Sequence, residues 1–172
     1  KAEDNVFISP LSMYYALNMA GVGANANTRD QFGELLGWNA NSDSSVFETM
    51  AQLYTDLMPT DSKITFEIAN SLWQREGFPV YEGYKSNISR WFKGDITEMN
   101  FGDPQAVDII NNWIADKTHD KIKNMLTEIS DETVLFLINA IYFKGDWKYK
   151  FDKQYTVDNY FTKVNGESVS TP

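Results

Sequence analysis

The residues of this chain that could do chemistry are few, and their spacing does not suit catalysis. Residues 21–26 fit the dinucleotide fingerprint G-x-G-x-x-[GA]. They follow a predicted helix rather than a strand, so the βαβ context that would bind a pyrophosphate is missing. His119 is the only histidine and there is no cysteine, which excludes a His/Cys zinc site, a thiolate nucleophile and a disulfide. We expect His119 to lie near a helix C-terminus, where it complements the helix dipole.

Ser9 and Ser12 are the serines that draw attention, and neither resembles a nucleophile. No G-x-S-x-G elbow surrounds them and no histidine base is plausibly placed. Ser9 before Pro10 instead predicts a helix N-cap with proline at the first helical position, and Ser12 predicts a buried hydroxyl. No pair of carboxylates is singled out by spacing. We therefore expect no enzyme, no metal site and no cofactor.

Composition limits the partners. The chain has 172 residues, 42% of them hydrophobic, which is enough for one domain with a substantial core. Its net charge of -9 argues against nucleic acid, heparin-like polyanions and anionic membrane surfaces, because each of these requires a basic patch. No apolar run reaches the length of a membrane-spanning helix and the first residues do not form a signal segment, so we expect a soluble protein.

The elements that would position these residues follow from periodicity. Residues 133–147 form a long apolar run, rich in β-branched and aromatic residues, with Asn139 in its middle. This run predicts a strand covered on both faces, in the interior of a sheet rather than at its edge. An unpaired amide there would cost roughly 1–3 kcal/mol, so Asn139 must find hydrogen-bond partners elsewhere in the fold.

The order of elements predicts an α+β fold. Helices come first, followed by a strand, a helix, a short strand, a helix, the long strand and a hairpin. Asn165-Gly166 predicts a type I′ turn in that hairpin, because both central residues of such a turn need positive φ. We expect the helices to cover one side of a mixed sheet.

Five separated segments resemble the serpin family in order and spacing. They are residues 5–12 (NVFISPLS), 28–31 (TRDQ), 69–73 (ANSLW), 110–114 (INNWI) and 137–147 (LINAIYFKGDW). The resemblance covers residues 1–172, begins just after the family's first helix, and corresponds to roughly the N-terminal half of a serpin domain. One departure is Asp120, where the family usually has glycine; Asp tolerates a left-handed backbone better than most residues.

The resemblance implies a mechanism and places residues in it. Serpins trap a serine or a cysteine protease: the protease cleaves the reactive-centre loop, which then inserts as an extra strand in the central sheet. The reactive-site bond is not in this chain. Ser9, Ser12 and Asn139 correspond to the "shutter" that controls strand separation, and Trp147 to the "breach" where insertion begins. The strand beside the insertion would contain Val134, Phe136, Ile138, Ala140 and Tyr142.

Three functions remain open at this point. The first is a protease inhibitor, and the second is a non-inhibitory serpin that acts as carrier, chaperone or storage protein. The third is an inactive fragment, prone to self-association because residues 134–143 would present an unpaired apolar edge. The helix over residues 43–58, which aligns with the heparin-binding helix of some serpins, has no Lys or Arg, which argues against activation by heparin. The resemblance implies an extracellular or cell-surface location.

Overall fold

The computed structural model describes residues 6–39, 45–58 and 61–171, and it has a mixture of helices and strands. Each element is numbered in chain order. The helices are α1 (Pro10–Gly23), α2 (Ala26–Leu36), α3 (Ser45–Leu57), α4 (Glu82–Phe92) and α5 (Ala106–Lys117), with one 3-10 turn at Lys153–Tyr155. The strands are β1 (Ile64–Arg75), β2 (Asp95–Met99), β3 (Leu135–Gly145), β4 (Asn159–Thr162) and β5 (Ser168–Thr171).

The main sheet has three strands in the order β2-β1-β3. β1 pairs with β2 in parallel and with β3 antiparallel, in a register that runs from Ile64 opposite Gly145 to Gln74 opposite Leu135. The prediction of a mixed sheet is therefore confirmed. The prediction that the long strand lies in the interior is wrong for this chain, because within the described residues β3 pairs only with β1 and lies at the edge of the sheet.

The two faces of this sheet support two separate cores, because side chains alternate along a strand. One face carries Ile68 and Leu72 of β1 with Leu137 of β3, which pack against α1, α3 and α4. The other face carries Trp73 of β1 and Phe136 of β3, which pack with Ile110 and Ile114 of α5. Helices thus cover both faces, and the expectation of helices on one side is wrong. The reason is that the second half of β1 is buried at both parities, with every residue from Asn70 to Gln74 buried.

The two glycines that fit the dinucleotide fingerprint, Gly21 and Gly23, lie in the last turn of α1. The Ser9 hydroxyl accepts a hydrogen bond from the Ser12 N–H at 3.2 Å, so Ser9 is the N-cap as predicted. Gly23 is the last residue of α1, and a Cβ there would lie 2.6 Å from the Tyr84 ring of α4. The Tyr84 hydroxyl donates to the Met19 carbonyl at 3.1 Å. Gly23 is therefore required for close contact between two helices rather than for a ligand.

The second sheet is the predicted hairpin, with β4 antiparallel to β5. Its turn is not type I′: Gly166 has φ +86°, whereas Asn165 is not among the residues with positive φ. The Gly166 N–H donates to the Lys163 carbonyl at 2.9 Å, and the Lys163 N–H donates to the Glu167 carbonyl at 2.8 Å. This loop is longer than the two-residue loop of a type I′ hairpin, and it needs a positive φ only at its last residue, Gly166.

Candidate functional site

A chain of polar side chains crosses the sheet on the face covered by α1 and α4. The Ser12 hydroxyl of α1 donates to Oδ1 of Asn139 on β3. Nδ2 of Asn139 donates to Oδ1 of Asn70 on β1 at 2.7 Å, and Nδ2 of Asn70 donates to the Phe92 carbonyl at the end of α4, also at 2.7 Å. We call this set of four residues the polar chain. It connects two helices and two strands by three successive hydrogen bonds.

Local geometry explains why these groups meet. Asn70 and Asn139 are direct cross-strand partners in the β1–β3 register, so their side chains emerge on the same face. The Phe92 carbonyl lies in the last turn of α4, where carbonyls lack helical partners. After it, Lys93 has φ +53° and Gly94 passes so close to Ile88 that a Cβ would lie 2.7 Å from Cγ2. This tight exit brings the end of α4 against β1.

The polar chain includes two of the three residues to which the serpin resemblance gives the shutter role. Ser12 and Asn139 are in direct contact, whereas Ser9 is exposed and reaches the chain only through its cap hydrogen bond to the Ser12 N–H. Ser9 therefore orients α1 and with it the Ser12 hydroxyl. The requirement that Asn139 find hydrogen-bond partners, which followed from its apolar strand, is met on both sides of its amide.

Asn70 is the member of the site that sequence reasoning missed. It is only 2% exposed, and its amide gives and receives one hydrogen bond each within the polar chain. A signal was present in the sequence. Ile64, Phe66 and Ile68 alternate along β1, and Asn70 occupies the next position of the same parity. An amide on the apolar face of one strand predicts a partner on the facing strand.

The residues expected beside an inserted strand lie on the opposite face, under α5. Phe136, Ile138, Ala140 and Tyr142 share one parity of β3, and the first two pack in the core that α5 covers. Val134 lies before the first residue of β3, and its carbonyl accepts a hydrogen bond from the Arg75 N–H at 3.0 Å. Along its other side β3 has no strand partner within the described ranges, so this edge is open to backbone pairing.

Trp147 lies two residues beyond β3 and outside the polar chain. Its side chain is 71% exposed, and its ring meets the Phe151 ring edge-on at 5.7 Å between centroids. Beside it, Asp146 forms an ion pair with Lys150 at 2.9 Å. The hydrogen bond from Lys150 lowers the pKa of Asp146, and the positive charge of Lys150 adds to this effect. Trp147 is thus exposed at the end of β3, with room for a further segment to pack on it.

His119 lies just after the C-terminus of α5, as predicted, and it also contacts the sheet. It follows the helix with φ +49°, its Nε2 lies 2.8 Å from Oε2 of Glu67 on β1, and its ring lies 4.2 Å from the Tyr142 ring. The next residue, Asp120, has φ +61°. This is the left-handed backbone expected at a position where serpins usually carry glycine.

Other kinds of site find little support in the part of the chain that the structure describes. There, no three His, Cys, Asp or Glu side chains are grouped so as to hold a metal ion. Over those same residues, no helix has both the length and the apolar character needed to cross a bilayer. The helix predicted over residues 43–58 is α3, and position 43 lies outside the described residues; α3 itself contains no Lys or Arg.

Comparison with known sequences agrees with this architecture. The sequence model of the family described as "Serpin (serine protease inhibitor)" matches residues 1–172. Serpin I2 of Homo sapiens is 36% identical over 99% of this chain and 43% of its own length. An uncharacterized serpin-like protein of Methanosarcina acetivorans is 33% identical over 97% of this chain and 40% of its own length. The chain thus spans less than half the length of these relatives.

Solved structures give the same result at the level of the fold. Ovalbumin from emu (Dromaius novaehollandiae) superposes with a TM-score of 0.91 at 26% identity, over 98% of this chain and 48% of the ovalbumin chain. Tengpin, a thermophilic serpin, superposes in its latent state with a TM-score of 0.85 at 32% identity, over 99% of this chain and 46% of tengpin. The α+β architecture is the serpin fold, and this chain belongs to the serpin family.

Proposed function

We propose that these residues form the strand-accepting part of a longer serpin domain that inhibits serine or cysteine proteases. The observation that carries the proposal is the open edge of β3. This strand has eleven residues, and the polar chain bonds its Asn139 to α1 and to β1. An inhibitor of this kind needs a strand to which another can be added. It also needs a means of keeping that strand in place until then.

The trapping chemistry would belong to the protease and to a reactive-centre loop outside this chain. The protease's serine or cysteine attacks a loop carbonyl, the peptide bond breaks, and its amine leaves as a new N-terminus. The loop then remains joined to the protease as an acyl-enzyme. Insertion of the loop beside β3 gains a ladder of hydrogen bonds and buries alternate side chains. Displacement and distortion of the attached protease would prevent hydrolysis of the acyl bond. This chain supplies no catalytic group to that reaction.

The polar chain would set how readily the sheet admits a strand. Ser12 fixes Asn139 to α1, and Asn70 fixes Asn139 to the end of α4, so movement of β3 away from these helices breaks hydrogen bonds on both sides of one amide. Ser9 supports this role by capping α1. Trp147, exposed at the far end of β3, would contact the first part of an incoming strand.

The negative charge of the chain limits which partners and activating cofactors it would bind. The net charge of -9 and the lack of Lys and Arg in α3 support an inhibitor that works without heparin, nucleic acid or a membrane surface. The family resemblance supports an extracellular or cell-surface location. The identity of the target protease depends on loop residues that lie outside this chain.

The test is to incubate a serpin of full family length that contains these residues with trypsin-, chymotrypsin-, elastase- and subtilisin-like proteases. A denaturing gel is then searched for a complex that survives boiling in detergent. We expect such a band with at least one protease, and none when the nucleophile of the same protease has been chemically blocked. Cleavage of the loop by every protease without a stable complex would reject trapping and favour a non-inhibitory carrier.

A further inference from the structure

A second polar contact joins β1 and β3 on the face opposite the polar chain. Glu67 and Tyr142 are direct cross-strand partners, and His119, from the turn after α5, reaches both. Its Nε2 lies 2.8 Å from the Glu67 carboxylate and its ring lies 4.2 Å from the Tyr142 ring. One side chain thus connects the end of α5 to both strands. We call these three residues the α5 clamp.

The turn that carries His119 is held firmly in an unfavourable backbone conformation. His119 and Asp120 both have positive φ, at +49° and +61°, which is costly for residues other than glycine. The Asp120 N–H donates to the Ala115 carbonyl at 2.8 Å. The buried Thr118 hydroxyl donates to the Ile114 carbonyl at 2.8 Å and accepts from the Ile122 N–H at 3.1 Å. These contacts direct the imidazole onto the sheet.

The clamp is one end of a segment that covers the α5 face of β3. Farther along this segment, Asn111 exchanges two hydrogen bonds with the backbone of Leu126, and Leu126 packs in the core with Phe136 and Ile138. At the far end, the Arg75 guanidinium donates to the Thr133 and Asp131 carbonyls at 2.7 and 2.8 Å. The segment from α5 to β3 is therefore anchored at both ends and in its middle.

A strand added to the open edge of β3 would have to make room beside this segment. It would lie about 4.8 Å from β3, with alternate side chains on the α5 face, about 5 Å from those of β3. Those side chains would emerge next to the covering segment. Admission of the strand then requires this segment to shift. Among the anchors of this segment, the α5 clamp is the one that contains a histidine, His119, whose side chain is half-exposed.

We propose that the α5 clamp is a pH-sensitive brake on strand addition at the edge of β3, an inference that rests on the proposed function. When the imidazole is protonated, its contact with Glu67 becomes an ion pair and the clamp tightens, so strand addition slows at acid pH. When the imidazole is neutral, a hydrogen bond remains and the segment moves more readily. Histidine is the side chain that changes charge between about pH 5 and pH 8.

The surrounding charges are consistent with this direction. Three groups face the imidazole from the sheet: the carboxylate of Glu67 on β1, and the phenol of Tyr142 and the ammonium group of Lys144 on the same face of β3. Its own segment carries the carboxylates of Asp116 and Asp120. The same segment also carries Lys117, Lys121 and Lys123, of which Lys123 pairs with Asp120 at 3.0 Å. The carboxylate that contacts the ring is that of Glu67.

The clamp can be tested without any protease. Hydrogen exchange of the backbone amides of residues 118–122 is compared, at each pH, between the serpin of full family length and its Glu67→Gln variant. Side chains of His119 and Glu67 are 49% and 46% exposed, so the effect should be modest. We expect about 1.5- to 5-fold faster exchange in the variant near pH 5 and a smaller difference near pH 8. The control is Glu167→Gln, which breaks the exposed Lys163–Glu167 pair of the hairpin.

A second variant separates the hydrogen bond from the charge. His119→Gln keeps a donor but cannot be protonated. The protection of these amides, measured relative to the intrinsic exchange rate at each pH, should then be the same at acid and neutral pH while the clamp persists. Exchange in Glu67→Gln equal to that of the parent at both pH values would overturn the clamp. The brake is tested separately by the rate at which the protease complex forms: equal rates for parent and Glu67→Gln at acid pH would overturn it. Absence of a complex with any protease would reject the proposed function, and with it the brake, whatever the exchange result.

Discussion

Asn70 and Asn139 face each other across the β1–β3 ladder, and the amide of one donates to the amide of the other at 2.7 Å. Each also has a second partner in a different helix, Ser12 in α1 and the Phe92 carbonyl in α4. Neither asparagine can be removed without leaving the other with an unpaired polar group. They should therefore behave as one unit in stability and in sheet opening.

Asn139→Ala should lower the stability of the serpin of full family length and promote polymers. The substitution leaves the Ser12 hydroxyl and the Asn70 carbonyl oxygen without their partner, at a cost of about 1–3 kcal/mol. Melting temperature and the rate of polymer formation on heating measure the effect. Asn27→Ala, at an exposed position of α2, is the control and should change neither. Unchanged melting and polymerisation in Asn139→Ala would remove the residue from the control of the sheet.

Asn70→Ala and Asn139→Ala should be strongly non-additive. Once one asparagine is gone, removal of the other no longer leaves an unpaired amide, so the double variant should lose less stability than the sum of the single losses. For residues in one hydrogen-bond network, interaction energies of about 0.5–3 kcal/mol are typical. Chemical denaturation of the four proteins completes the cycle. Strict additivity would show that the 2.7 Å contact carries no coupling.

The asparagines also show what the sequence can and cannot reveal. The need of Asn139 for partners was readable because a lone amide stood in an apolar run. The identity of Asn70 as its partner depends on the register of two strands that places residues 69 positions apart opposite each other, which local periodicity does not encode. Only the parity of Asn70 within β1 gave a hint.

The position of β3 at an edge could not be read from its composition. An apolar run is typical of a strand covered on both faces, and α1 and α5 do contact opposite faces of the ladder. Whether a strand also has neighbours on both sides depends on which other strands are present. The hairpin shows a similar limit: Asn165-Gly166 located the turn, but the loop length and turn type came from the wider register of β4 and β5.

Trp147→Ala should alter the kinetics of inhibition while leaving the stability of the intact protein nearly unchanged. The side chain is mostly exposed and its main partner is the Phe151 ring, so little packing is lost. The second-order rate and the stoichiometry of complex formation are the measurements. Tyr149→Ala, which removes a neighbouring aromatic ring that is also exposed, is the control. Equal rate and equal stoichiometry in parent and Trp147→Ala would exclude the residue from the start of insertion.

Alkaline pH should destabilise the fold through two tyrosines. Burial raises the pKa of Tyr15 and of Tyr84 to about 12 in each case, and both hydroxyls donate to backbone carbonyls. Because an unfolded tyrosine titrates near pH 10, the stability they contribute is complete below about pH 10 and is lost as the pH rises through about 12. Denaturation midpoints measured across this range should fall.

Phenylalanine variants identify the tyrosines responsible. Tyr84→Phe and Tyr15→Phe should each be less stable than the parent near neutral pH, because a buried carbonyl loses its donor. Each variant should also show a smaller loss of stability than the parent between about pH 10 and pH 12. A control is Tyr81→Phe, since that side chain is exposed. If the decline persists unchanged in both core variants, other groups cause it.

The isolated 172-residue chain should self-associate through the open edge of β3. Lysine at an edge strand opposes pairing with another chain, so Phe143→Lys, at an exposed position of β3, should shift the chain towards monomer. Sedimentation velocity over a range of concentrations measures the shift. Tyr81→Lys adds the same charge away from the strand and should not. A parent chain that is monomeric and unfolds cooperatively would show that the edge is not a site of association.

The most direct test of strand acceptance is the melting temperature of the serpin of full family length before and after a protease cuts its reactive-centre loop. Insertion of the freed loop beside β3 would add a hydrogen-bonded strand and bury its side chains, so the cleaved protein should melt well above the intact one. An equal or lower melting temperature after cleavage would contradict the central claim, because the loop would then have remained outside the sheet.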